Sequence, residues 1–159
     1  MVFGSKVYGI LLFLLGVSGA CYAAERGAGA MTPPGPNAIS GEAHLVRGDT
    51  ARPCTGVELI ADTDATTAWV RGAFHDDGSA PRRVLDAMPQ GGDFQKNRQH
   101  AACDARGYFR FAHVPDGQYY VLASVRWAVR WQRNGGGLVK QVSVAGGQQE
   151  SVSLAGPLR

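Results

Sequence analysis

A chain of 159 residues, 45% hydrophobic and 18% charged, is long enough to bury one sizeable core and too apolar to be a disordered segment. A formal net charge of +3 without basic runs excludes an extended nucleic-acid surface. Twenty-two glycines and eight prolines demand many turns and argue against a bundle of long helices.

The chain opens "MVFGSKVYGILLFLLGVSGACYAAERG", in which Lys6 precedes an apolar run from Val7 to Val17 and small residues follow. That run is shorter than the roughly 20 apolar residues a bilayer span needs, and it matches the basic, apolar, small-residue plan of a secretory signal. Residues 1–23 are therefore read as a signal peptide, and the protein as exported to the periplasm or cell envelope. Two processing routes stay open. "SGAC" at 18–21 resembles a bacterial lipobox, with Ser18 where leucine is usual, and this route would lipidate Cys21. Ordinary cleavage after Ala23 or Ala24 is the other, with Tyr22 bulky for a site that ends at Ala24. Either route removes or modifies Cys21 and leaves Cys54 and Cys103, for which an oxidising compartment favours a disulfide over two buried thiols.

Residues 24–37, "AERGAGAMTPPGPN", are too small, polar and proline-rich to bury a core, and read as a linker. A domain follows over 38–156. "SGEAHLVRG" alternates as a strand and closes at Gly48 and Asp49. "TGVELIADT" places Val57, Leu59 and Ala61 on one face and Glu58 and Ile60 on the other. "TTAWVRGAF", with Trp69 and Val70, is a third strand candidate. Residues 75–98 then lose the rhythm: one helical turn fits around Arg83 to Met88, but Pro81, Pro89, Gly91 and Gly92 bound it, so the segment reads as a long inserted loop.

Regularity returns with "QHAAC", a short strand, and "DARG", whose Asp and Gly suit the first and last positions of a turn. "YFRFAHV" points Phe109 and Phe111 inward, and "PDG" turns the chain again. "QYYVLASVRWAVRWQ" keeps Tyr119, Val121, Ala123, Val125, Trp127, Val129 and Trp131 on one parity, predicting that Trp127 and Trp131 fill the core. "RNGGG" at 133–137 is the expected hairpin turn, and "LVKQVSV", "AGG" and "QQESVSLAG" are two strands around a glycine turn. No helix of normal length is required. The expected fold is an all-β, antiparallel sandwich with one long inserted loop.

Asp104, Gly107, Phe109, Phe111, Val114, Pro115, Gly117 and Tyr119 together resemble the D-x-x-G-x-F-x-F-x-x-[LV]-P-x-G-x-Y signature of carboxypeptidase regulatory-like domains. The likeness extends over about Ile39 to Ala155, outside the 75–98 segment. It implies a transthyretin-like β-sandwich and says little about function. "CTG" at Cys54 with "CDARGYF" at Cys103 is similar to a group of exported bacterial proteins carrying this domain, which supports the Cys54–Cys103 pairing.

No catalytic or metal constellation stands out. His44, His75, His100 and His113 form no H-x-H or H-x-x-x-H pair, "DTDATT" and "DDGS" lack the spacing of a calcium loop, and no G-x-S-x-G elbow occurs. The expectation is a module without catalysis and without a cofactor, binding or scaffolding at the bacterial envelope. Its partner would be an envelope protein or a glycan, with membrane contact only through a lipid anchor; the alternative is a small carbohydrate-binding module. Trp69, Arg126 and Arg130 are the candidate ligand contacts, since indole rings stack on sugars and guanidinium groups pair with anions.

Overall fold

The structure, a computed structural model, describes residues 34–157. The signal peptide, Cys21 and most of the linker lie outside the described residues.

Among the described residues, nine strands form two sheets. In the first, β1 (Asn37–Arg47) is central. One edge of β1 is shared by β6 (Tyr108–Val114), antiparallel along its first half, and β2 (Thr50–Pro53), antiparallel along its second. The other edge pairs with β9 (Gln149–Pro157), which runs parallel to β1 from Ala38↔Gln149 to Val46↔Pro157. At the junction on the shared edge, the Ala43 N–H donates to the Gly107 carbonyl at 3.0 Å and the Cys54 N–H donates to the Ala43 carbonyl at 2.9 Å, so no backbone group is orphaned there.

The second sheet is antiparallel throughout, in the order β4 (Ser79–Pro81), β8 (Gln132–Val144), β7 (Gly117–Val129), β3 (Gly56–Ala61), β5 (Gln99–Ala102). The alternating positions of both sheets meet in one core that includes Ile39, Leu45, Leu59, Phe109, Phe111, Val121, Leu138 and Val152. Each large side chain fully buried there contributes about 1.5–3 kcal/mol of transfer free energy. The architecture is thus the expected all-β sandwich, mostly antiparallel, with one parallel pair.

The turn read at "DARG" is present. The Asp104 carboxylate accepts from the Arg106 and Tyr108 N–H groups, both at 2.8 Å, and Gly107 takes φ 79° to bring the chain round. Those bonds, to Tyr108 first and Arg106 second, hold the Asp104 carboxyl below its ordinary range. Tyr119 is buried, its hydroxyl donates to the Pro115 carbonyl at 2.9 Å, and burial pushes its ionisation above the usual value.

β1 starts two residues before Ile39. Asn37, the last residue of the sequence-assigned linker, is 1% exposed and fully bonded: its amide nitrogen donates to the Val114 carbonyl and the Asp116 carboxylate, and its oxygen accepts from the N–H groups of Gly147 and Gln148. One side chain therefore ties the start of the domain to the turns before β7 and before β9.

Four expectations are corrected. "TTAWVRGAF" is helical: α1 spans Asp64–Ala73, because Thr63 and Thr66 form a reciprocal capping box and Thr66, Trp69, Val70 and Phe74 recur at helical spacing toward the sheet. The 75–98 segment is built structure, holding β4, a short helix α2 (Arg82–Asp86) and a 3₁₀ turn (Gly92–Gln95). The hairpin turn is Arg130–Trp131, with Arg130 at φ 53°, whereas "RNGGG" lies inside β8. Its glycines serve close packing: a Cβ on Gly136 would lie 2.8 Å from Leu45 Cδ1, and one on Gly137 2.8 Å from Leu85 Cδ1. Trp131 consequently sits at the tip, 99% exposed, and does not fill the core.

Candidate functional site

The outer face of the five-stranded sheet carries a second apolar layer. Ile60 of β3 and Tyr120 and Leu122 of β7, on the parity opposite the sandwich core, are covered by Val70, Met88 and Phe94, with Trp69, Phe74, Leu85 and Val139 packed around them. Trp69 stands edge-on to Phe74 and Phe94, with ring centroids 5.7 and 5.6 Å away. It is therefore half-buried in the packing of the outer layer.

The covering layer stops short of the far part of this face. There the polar residues of β3, β5 and β7 line a trough: one hollow of about 300 Å³ and an adjoining one of about 230 Å³ share Glu58, Ser124 and Arg126. Leu122, Met88 and Leu85 give the first hollow an apolar lining. The polar groups are held in a chain of pairs. Glu58 accepts from Arg98 Nε at 3.0 Å through one oxygen and meets His100 Nδ1 at 3.0 Å through the other. Arg98 also donates to the Gln90 side-chain oxygen at 3.0 Å. Across the trough, Asp86 of α2 pairs with Arg126 at 3.1 Å and with Arg82 at 3.2 Å. Arg126 and Asp86 are partly open to solvent, so separating this pair costs little.

A third hollow, of about 410 Å³, adjoins Arg126 at the edge of the sandwich beside Cys54, Cys103, Asp104 and Trp127. Trp127 is half-buried at the margin of the core, and Arg52 of β2 lies over its ring at 4.9 Å, closing the gap between the two sheets. The expected disulfide is present: Cys54 and Cys103 are bonded, with Cα atoms 5.7 Å apart, and clamp the start of β3 to the end of β5 beside the trough.

Of the candidate contacts, Arg126 lies at the centre of this surface. Arg130 does not join it; it occupies the hairpin turn with Trp131. Glu58, Asp86, Gln90, Arg98 and His100 were not distinguishable in sequence. Glu58 and His100 lie 42 residues apart and meet only because β3 and β5 pair in register. Among the described residues no group of three or more His, Cys, Asp or Glu side chains could hold a metal ion, and no helix is long and apolar enough to cross a membrane.

The fold and the trough define an all-β sandwich with a polar concavity on one outer face. No protein-family model matches the chain, and no curated protein is similar to it. Among solved structures, it is similar to the crystal structure of a candidate carbohydrate binding protein from Pseudomonas aeruginosa, at 26% identity and a TM-score of 0.60, covering 79% of this chain and 92% of that one.

Proposed function

We propose that this chain is an exported, non-catalytic module of the carboxypeptidase regulatory-like kind, with the transthyretin-like arrangement of strands, and that the trough around Arg126 holds a glycan at the bacterial cell envelope. Residues 1–23 act as the export signal, Cys21 is the site of lipidation if the lipobox route is used, and residues 24–37 tether the domain.

The observation that carries this reading is the convergence of Glu58, Arg98, His100, Asp86 and Arg126 over an apolar floor in one shallow trough. Sugar hydroxyls both donate and accept, and a row of carboxylate–guanidinium pairs offers acceptors and donors side by side in fixed positions. Both carboxylates are engaged by guanidinium groups, an arrangement suited to holding polar ligands. The name of the Pseudomonas aeruginosa protein supports the same ligand class.

The test is a glycan array followed by calorimetric titration of the folded protein. Arg126→Ala and Glu58→Gln should each weaken binding about ten-fold or more, the equivalent of about 1.4 kcal/mol, with unchanged circular dichroism. Folded wild-type protein that binds no glycan overturns the reading.

A protein partner is the second reading. It is favoured by β9, which among the described strands pairs only with β1 and so leaves its outer edge free for an added strand, apart from Lys140 donating to the Ser153 carbonyl at 3.4 Å. Pull-down from envelope extracts, with and without a proline at Ser153, separates it from glycan binding.

A further inference from the structure

The β7–β8 hairpin projects past the sandwich core. Its strands stay paired to the last rung, Val129↔Gln132, so the two-residue turn is held rigidly at the end of a long ribbon. At this tip Trp131 is 99% exposed and Val129 52% exposed, with Ala128 exposed beside them. A tryptophan costs solvation free energy in water, and no described residue covers this one. The ribbon is also one-sided in charge. Between Asp116 and Glu150 the sequence has no acidic residue, while Arg126, Arg130, Arg133 and Lys140 all fall there. Elements packed against the ribbon add Arg52, over Trp127, and Arg82, whose guanidinium reaches the Arg133 carbonyl at 3.3 Å. Among the described residues, the carboxylates that face it are Asp86, paired with Arg82 and Arg126, Asp62, bonded to Gln141 near the other end of the ribbon, and Glu58 and Asp104, which line the hollows beside Arg126; none of them bonds Arg130 or Arg133.

We infer that this hairpin tip docks on an anionic lipid bilayer, with Trp131 and Val129 entering the headgroup region and Arg130 and Arg133 pairing with lipid phosphates. Shape decides between ligand classes. The tip is convex, and none of the three hollows includes Val129, Arg130 or Trp131, so it offers no cavity to enclose a small sugar. A soft interface accepts a convex wedge, and an indole with flanking arginines is the side-chain set that settles at headgroup level. Each arginine near an anionic surface contributes attraction that is screened within a Debye length. The contact is separate from the trough, and β1 begins at the other end of the ribbon, where Asn37 pairs with Val114 just before β7. Together with an acyl chain it would supply the second of the two signals that stable anchoring requires.

The test uses the full chain and tryptophan emission. All three tryptophans lie at 69, 127 and 131, so the signal is blind to binding through the apolar N-terminal segment. Vesicles of phosphatidylcholine alone are compared with an equal mixture of phosphatidylcholine and phosphatidylglycerol, with and without acyl-brominated lipid. The expected result is a blue shift and bromine quenching in the mixed vesicles, reversed by salt and absent from Trp131→Ala. Arg130→Gln and Arg133→Gln should each lower the affinity read from the shift about five-fold, which corresponds to about 1 kcal/mol per cation. Trp131 is fully exposed, so its replacement leaves the fold intact. The inference is overturned by water-like emission from vesicle-bound protein, by an equal response to neutral vesicles, or by a shift that survives Trp131→Ala. Response to a soluble acidic polysaccharide but not to vesicles overturns it equally, in favour of a glycan at the tip.

Discussion

The two apolar layers of this domain share one sheet but differ in origin. The sandwich core is filled by strands from both sheets whose inward residues alternate one for one, among them Leu59, Phe109, Phe111, Val121 and Val152. The outer layer is filled by Ile60, Tyr120 and Leu122 from two strands and by Val70, Met88 and Phe94 from a helix, a loop and a 3₁₀ turn. The first is closed by backbone pairing along every strand. The second rests on side-chain packing, on the Thr63 cap, and on Thr67, which joins the Tyr120 hydroxyl at 2.9 Å and also bonds Asp62. The contrast teaches that the sandwich carries global stability, whereas the outer layer shapes the trough and can loosen by itself.

The largest expected effect is in the sandwich. Phe109→Ala removes a fully buried β6 ring from the sandwich core and should cost about 3–5 kcal/mol, seen as a lower urea midpoint with the transition still cooperative. An effect below about 1 kcal/mol would mean that the two layers share the load more evenly than the packing indicates.

Next comes the covalent clamp. The Cys54→Ser, Cys103→Ser double variant opens a loop with a sequence separation of 49 that contains the helix, loop and 3₁₀ turn covering the outer face, and should lose about 2–4 kcal/mol. The variant should keep the same sandwich by circular dichroism, while hydrogen exchange quickens most in α1 and β5. Uniform loss of protection throughout would erase the distinction between the layers.

The smallest of the three is Trp69→Ala. Half-buried between Phe74 and Phe94, it should cost about 2 kcal/mol, less than a fully buried ring. Exchange protection should drop in α1 and the 3₁₀ turn while β1 and β6 keep theirs. Any glycan affinity should fall less than with Arg126→Ala, since Trp69 shapes the outer layer and does not line the trough. A loss equal to that of Arg126→Ala would return Trp69 to the binding surface.

How far each layer could be read in advance follows from its construction. Strand alternation is a local, period-two signal, so "YFRFAHV" and "GVELIA" announced both their strands and their buried faces, and turn residues such as Asp104 and Gly107 announced the corners. Helix α1 was hidden because Thr66, Thr67 and Val70 are β-branched and favour strands by themselves; its capping box and its helical spacing outweigh that preference once Ile60 and Tyr120 offer a face to cover. Trp131 was misplaced for the converse reason. It shares parity with Val121 and Val125, but parity states which way a side chain points and not whether anything lies opposite it.

The sequence by itself determined the all-β class, most strand positions, the paired cysteines and Arg126 as an outward cation, because each depends on neighbours a few residues away or on a count. Only the tertiary structure decided that β9 lies parallel to β1, that Asn37 closes the domain, that Glu58 meets His100 and Arg98, and that the hairpin outruns its core. Those outcomes join residues about 40 to 110 positions apart, and which distant strands pair, and in what register, is set by the packing of two whole sheets and leaves no periodic trace in any one segment.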